Sequence, residues 1–407
     1  MTPPPVVTTV AMPSLASIGE AARHRGAAAL MLNVAHTIDH LMLLVFATAV
    51  GAIAADFGFG RWEDLMPYTA GAFVLFGIGS LPAGRLGDLW GRRAMMLVFF
   101  FGIGASALVI AITQNAWQIA AALTLMGAFS AIYHPVGIPM LVQGASRPGL
   151  VIGVNGLAGN LGIAIAALST GLLVKYFGWR AAFAVPGAAA IACGIVFARV
   201  APRETTPPHK RAARQVELPT GMLARVLLVV TLTSTCASLV FNFTTNGNGE
   251  LLRERMAPVT SDPALIGSLL AAVYVVASFA QVIVGRAIDR YPLKRLYLAI
   301  VAVQIPLFAL AVHADGWPLY ALAIAYMAFV FGAIPFTDAM IVRYVDDRMR
   351  SRVAGIRLAI AFSVSSLAVY LLGPIVKAAG FATLLATLAI ISIGTALAVS
   401  LLPAERR

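Results

Sequence analysis

Unbroken apolar runs, each about twenty residues long and recurring along nearly the whole chain, are the strongest constraint on its fold. The segment 94–113, AMMLVFFFGIGASALVIAIT, holds no ionisable side chain. As a helix, a run of that length reaches about 30 Å, the thickness of a bilayer's hydrocarbon core. A transmembrane barrel would instead alternate polar and apolar residues in strands of about ten. Lipid offers backbone groups no hydrogen-bond partner, so long apolar segments of this kind are helical. With 11% charged residues, against about 25% in soluble domains, the fold class is an all-α polytopic membrane protein.

The apolar pattern predicts twelve transmembrane helices, near 27–52, 67–84, 94–113, 117–142, 150–173 and 180–198, then 222–245, 264–285, 296–313, 317–342, 353–374 and 380–402. Residues 1–26, rich in Pro, Thr and Ser, form a tail, and the first span acts as an uncleaved insertion signal. The polar stretch 199–221, with adjacent Pro207 and Pro208, is a linker between two six-helix bundles, 27–198 and 222–402, and 403–407 is a second tail.

Charge fixes the orientation. With the N-terminus inside, the loops on the outer face hold only Arg61, Lys175, Arg180, Arg253, Arg255 and Lys377, and the other 23 of the 29 Lys and Arg lie inside. The positive-inside rule then puts both termini in the cytoplasm, and the bacterial inner membrane is the expected location. The net charge of +12 is a topology signal with membrane lipid as its partner, not a nucleic-acid footprint. Cys193 and Cys236 both fall inside spans, so the cysteines imply no disulfide framework and no zinc ligand set.

The densest charge sits in GRLGDLWGRR, residues 84–93, between the second and third spans. It lacks the preceding strand and the spacing of a phosphate-binding loop. A weak echo, GRAIDRYPLKR, begins at Gly285. Gly84 and Gly285, Arg85 and Arg286, and Asp88 and Asp289 are each 201 residues apart, and Arg290 follows in the second copy. Parallel six-helix repeats are a transporter plan. The motif, with Gly84, Gly87, Asp88, Gly91, Arg92 and Arg93 in place, resembles the loop signature of the major facilitator superfamily, and span count, linker and repeat extend the resemblance over essentially the whole chain. The glycines are expected to let the backbone turn sharply and approach neighbouring helices. Arg92 and Arg93 are expected to face lipid phosphates. The resemblance implies that Asp88 latches the cytoplasmic side in the outward-open state.

Ionisable groups inside a bilayer cost several kcal/mol unless partnered, so each is a candidate site residue. In the first span Asn33 and His40 lie within about 60° of His36, with Asp39 about 60° from it, forming one polar stripe. A His beside an Asp titrates near neutral pH and suits a proton carrier. A structural hydrogen-bond cluster is the alternative, with metal ligation a third. The fourth span contributes His134, before Pro135 and Pro139. In the fifth, Gly153, Gly156, Gly159 and Gly162 recur every three residues, which permits close helix contact, with Asn155 and Asn160 adding hydrogen bonds. Asn242 and Asn246 in the seventh span are expected to face the cavity. Asp338 in the tenth is either a transport carboxylate or a gate paired with Arg343 or Arg290.

His-Pro in the fourth span and the Gly-Asn pattern in the fifth resemble the fosmidomycin-resistance branch of drug efflux antiporters. Ala166 and Ala167 stand where antiporters commonly carry Gly-Pro, and 124–129 lacks their arginine. The expected function is secondary active transport of a small solute, proton-coupled and favouring efflux, by a monomer with no cofactor, no resident metal and no catalysis. Uptake of a nutrient or of a metal such as copper is the alternative, Met31, Met42, Met126 and Met140 being possible soft ligands beside the histidines. A receptor or assembly factor on the same scaffold is the reading from another class.

Overall fold

The computed structural model describes residues 15–143, 148–202, 220–344 and 347–402. Among them there is no strand. The chain enters through α1 (Leu15–Asp56), a 42-residue helix that begins upstream of the apolar run. Two short 3₁₀ turns lead into α2 (Ala70–Trp90), followed by α3 (Arg92–Ala111) and α4 (Ala116–Ser130). A π-helical segment, Tyr133–Gly137, joins α4 to α5 (Ile138–Val142), so the fourth span is one crossing with a widened turn. Pro135 is the physical cause. It offers no N–H and its ring displaces the preceding turn, which a π-bulge accommodates.

The first half closes with α6 (Pro148–Phe177) and α7 (Trp179–Val200). The second holds α8 (Thr220–Arg255), α9 (Pro263–Ile288), α10 (Leu293–Ala311), α11 (Gly316–Tyr344) and α12 (Asp347–Ser400). Most of the 199–221 linker and both tails lie outside the described residues. The last helix contains two crossings, because Gly380, at φ 74° and ψ 171°, reverses the chain within its 54 residues. A continuous helix of that length would be about 80 Å, far beyond one bilayer. Counting its two arms gives twelve crossings among the described residues.

Each half packs on itself, α1 against α6 and α3 against α7 in the first, α8 against α12 and α9 against α11 in the second. The halves meet along α6 with α9, α2 with α12 and α1 with α8. Thus α1, α2 and α6, three helices that surround the first-half polar residues, present the face turned to the second half.

Candidate functional site

The first-span stripe and the fourth-span histidine converge. His36 on α1 stacks on Tyr133, ring centroids 4.7 Å apart, and stands 4.8 Å from His40 and 5.1 Å from His134. The Nδ1 of His36 lies 2.7 Å from the backbone oxygen of Asn155 on α6. A carbonyl only accepts, so Nδ1 carries the hydrogen and the Nε2 lone pair points at His40 Nε2, 3.1 Å away. Tyr133 donates to the Leu32 carbonyl at 2.9 Å, and Asn155 donates to Tyr133 at 2.6 Å and to Asn33 at 2.9 Å. The π-helical turn therefore aims His134 and Tyr133 at the α1 stripe and locks the His36 ring.

Asp39 is completely buried, its Oδ2 3.7 Å from His134 Nε2 and the Ser130 hydroxyl beside it. Three histidine ligand atoms lie within 4.8 Å of one another. The methionines give no soft-ligand set: Met31, Met42 and Met126 are buried in the hydrophobic core and Met140 packs against it.

The glycines of α6 divide into two kinds. A side chain on Gly159 would meet the His36 ring at 2.6 Å, and one on Gly162 would meet the Thr37 carbonyl at 2.3 Å, whereas Gly153 has open space. Close approach to α1, sealed by a Thr37 hydroxyl donating to the Ala158 carbonyl at 2.9 Å, thus rests on Gly159 and Gly162. Asn160 crosses to the other half and donates to Gln281 on α9. Asn242 and Asn246 are spent within the second half. The first donates to Ser365 of α12 at 2.8 Å, and the second to the Asn242 carbonyl of its own helix at 3.0 Å. The side chains of Asp338 and Arg343 lie outside the described residues.

At one end the halves are sealed. Lys175 of α6 pairs with Asp262 at the head of α9, Lys377 pairs with Asp64, and Trp62 stacks on Phe381 at 6.0 Å. The backbones of Gly171 and Gly267 touch, a side chain on either falling 2.6 Å from a carbonyl of the other helix. Just inside this seal lies a cavity of about 260 Å³ lined by Thr48, Gly51, Gly171, Arg253 and Gly267 among others. There Arg253 pairs at 3.0 Å with Glu250, which is almost fully buried, and its guanidinium lies against Gly51 of α1. Sequence reasoning missed Glu250 because NGNGE reads as a turn. Packing carries α8 through to Arg255 and brings the carboxylate inside.

The model of the Major Facilitator Superfamily matches residues 32–252, more than half of the chain. The chain belongs to the major facilitator superfamily. It is 28% identical over 149 residues to the tetracenomycin C resistance and export protein of Streptomyces glaucescens, covering 35% of this chain and 28% of that one. It is 23% identical over 308 residues to the multidrug resistance protein MdtG of Proteus mirabilis, covering 73% and 76%. The chain spans only 27% to 33% of the length of the Streptomyces relatives it matches first. Among solved structures, a bacterial homolog to the human lysosomal transporter Spinster, in inward-facing and occupied conformation, superposes with a TM-score of 0.71 at 14% identity, over 93% of this chain and 94% of that one. The superfamily is one of transporters, not enzymes.

The superfamily motif differs from its expected geometry. Residues 84–90 continue α2, and only Gly91, at φ 93°, turns the chain. Gly84 and Gly87 serve the close approach and not the turn, a side chain falling 3.3 Å from Pro135 and 3.0 Å from Val136. They seat α2 on the turn that carries His134, which couples the superfamily motif to the polar cluster. Arg93 does not point to lipid. It donates to the Ala198 and Ala201 carbonyls at 2.5 and 3.0 Å, closing the end of α7, while Arg92 reaches Gln143 at 3.4 Å. Asp88 is exposed and makes no hydrogen bond or ion pair among the described residues, as do Asp289 and Arg290 in the second copy, and Arg286 is likewise exposed.

Proposed function

We propose that this protein is a secondary active transporter that expels a small organic solute across the bacterial inner membrane by alternating access, driven by the proton gradient. The observation that carries the reading is an asymmetry: ion pairs and touching glycine backbones seal the halves at one end, while Asp88 stands exposed and unlatched at the other. The basic motif end is taken as cytoplasmic, so this conformation opens inward. Efflux is supported by the printed roles of the relatives in resistance and export. The polar cluster of His36, Asp39, His40 and His134 is the cargo-contacting centre, backed by Asn155.

Glu250 is assigned the proton exchange. It is a buried carboxylate whose near charges are Arg253 and, more remotely, Glu63 and Glu254. When the sealed end opens, Arg253 leaves Gly51 and the Glu250 carboxylate meets water, where a proton can replace the guanidinium. Proteoliposomes with an internal pH dye, screened with drugs and organic acids under both gradient directions, test the reading. Solute-dependent proton flux is expected. Glu250→Gln should keep solute exchange and lose gradient-driven accumulation, and full accumulation by that variant sinks the assignment. A cysteine at Pro208 should resist labelling from outside intact cells.

A further inference from the structure

The geometry points to a binding site for a divalent transition-metal cation of the borderline class, Zn²⁺ being the type case, held by His36, His40 and His134 with Asp39 as its counter-charge. Four observations carry it. Three imidazole ligand atoms, two on α1 and one on the fourth span, converge within 4.8 Å. The Nε2 atoms of His36 and His40 are already 3.1 Å apart, close to the edge of about 3.3 Å that a tetrahedron with Zn–N bonds of 2.0–2.1 Å requires. Drawing in the third ring takes a shift of about 1.5 Å at most, and the π-helical turn holding it is a backbone type that recurs at functional sites.

The second observation is orientation. The Asn155 carbonyl holds the Nδ1 hydrogen of His36 and so presents its Nε2 lone pair to the centre. Metal-ligating histidines are positioned in this way, by an acceptor behind the ring. Third, the Asp39 carboxyl is fully buried, its Oδ2 3.7 Å from His134 Nε2 and the Ser130 hydroxyl beside it. A carboxyl so buried is either protonated or faced by a cation, and a metal ion on the histidines would supply that cation. Fourth, the donors are nitrogen and oxygen only. Imidazole nitrogen with one carboxylate selects zinc, cobalt, nickel or copper(II) over the oxygen-seeking calcium and magnesium, and over copper(I), which thioethers would favour.

The ion's part in transport rests on the reading of this cluster as the cargo-contacting centre; the binding does not. The cation arrives either free or already held by a chelating organic solute, which would fill the remaining coordination position.

The test uses the purified full-length protein in detergent, with an affinity tag free of histidine, and Co²⁺ as the probe. One equivalent of Co²⁺ is expected to give the intense visible absorption of tetrahedral coordination, and Zn²⁺ should bleach it. His40→Gln and His134→Gln should each abolish the band. Asp39→Asn should weaken binding by about 10–100-fold. His313→Gln, remote from the cluster, should change nothing. To separate lost binding from lost folding, Zn²⁺ is also added in thermal melts: it should raise the midpoint of the native protein and not that of a variant whose metal-free melt is unchanged. No tetrahedral band, or a band that survives loss of both His40 and His134, overturns the site. Proteoliposomes enclosing a zinc-sensitive dye then receive free Zn²⁺ or a preformed organic zinc complex. Flux in the first arm alone identifies the free cation and flux in the second alone the complex. Bound metal with no flux in either arm overturns the cargo role, whereas organic-solute flux without metal binding overturns the site and leaves the transporter reading standing.

Discussion

Arg93 and Lys294, one repeat of 201 residues apart, perform the same task in the two halves. Arg93, in the first turn of α3, donates to the Ala198 and Ala201 carbonyls that end α7. Lys294, in the first turn of α10, donates to the Ser400 and Leu402 carbonyls at 2.6 and 2.7 Å, at the end of α12. A cation at a helix C-terminus satisfies carbonyls that the helix cannot and opposes its dipole. Arg93→Ala and Lys294→Ala should each cost about 1 kcal/mol, read as a lowered midpoint in detergent melts, and Arg93→Lys should recover most of the loss. An unchanged midpoint in both alanine variants would reduce the pair to coincidence.

The two kinds of glycine in α6 give opposite expectations. Gly162→Ala places a methyl 2.3 Å from the Thr37 carbonyl, a backbone atom that cannot turn aside. Overpacking of this kind costs about 1–3 kcal/mol, so the variant should melt earlier and transport poorly. Gly153→Ala meets open space and should be neutral or stabilising by up to about 1 kcal/mol. Equal effects at both positions would refute the α1–α6 contact.

Asp88 is exposed in the sealed conformation, so Asp88→Asn should leave its stability unchanged. On the proposed cycle its work falls in the opposite state, so transport should drop about tenfold, the equivalent of about 1.4 kcal/mol on the transport cycle. Spin labels on the ends of α6 and α9 and a flux assay separate the two. Normal flux in Asp88→Asn would leave the motif a packing and topology element only.

At the sealed end, Lys175 hydrogen-bonds Asp262 and holds its carboxyl below the ordinary value. A lowered pKa means that the pair supports closure at neutral pH and loses that support only as pH falls through the lowered value. Closure should therefore hold from about pH 8 to about pH 5 and weaken below about pH 4. Asp262→Asn should remove this dependence and shift the equilibrium toward opening by about two- to fivefold, as for exposed ion pairs. Spin-label distances across the pH range check both statements.

The sequence by itself determined the helical fold class, the twelve crossings, the basic repeat and the histidine-bearing stripe, because lipid forbids any other use of long apolar runs and makes each buried charge conspicuous. It did not place His134 beside His36, since that depends on how far a proline widens a turn and on the glycines that let α2 and α6 close in. Nor did it show that the Asn242 amide donates to Ser365, 123 residues away on α12. Glu250 was hidden for a different reason: a stretch of Asn and Gly has turn propensity on its own, and only packing among α1, α9 and α12 holds it helical. Which end is sealed was decided by tertiary structure alone, because Lys175 and Asp262, like Lys377 and Asp64, meet across the two halves of the chain and each contact exists only in one arrangement of those halves.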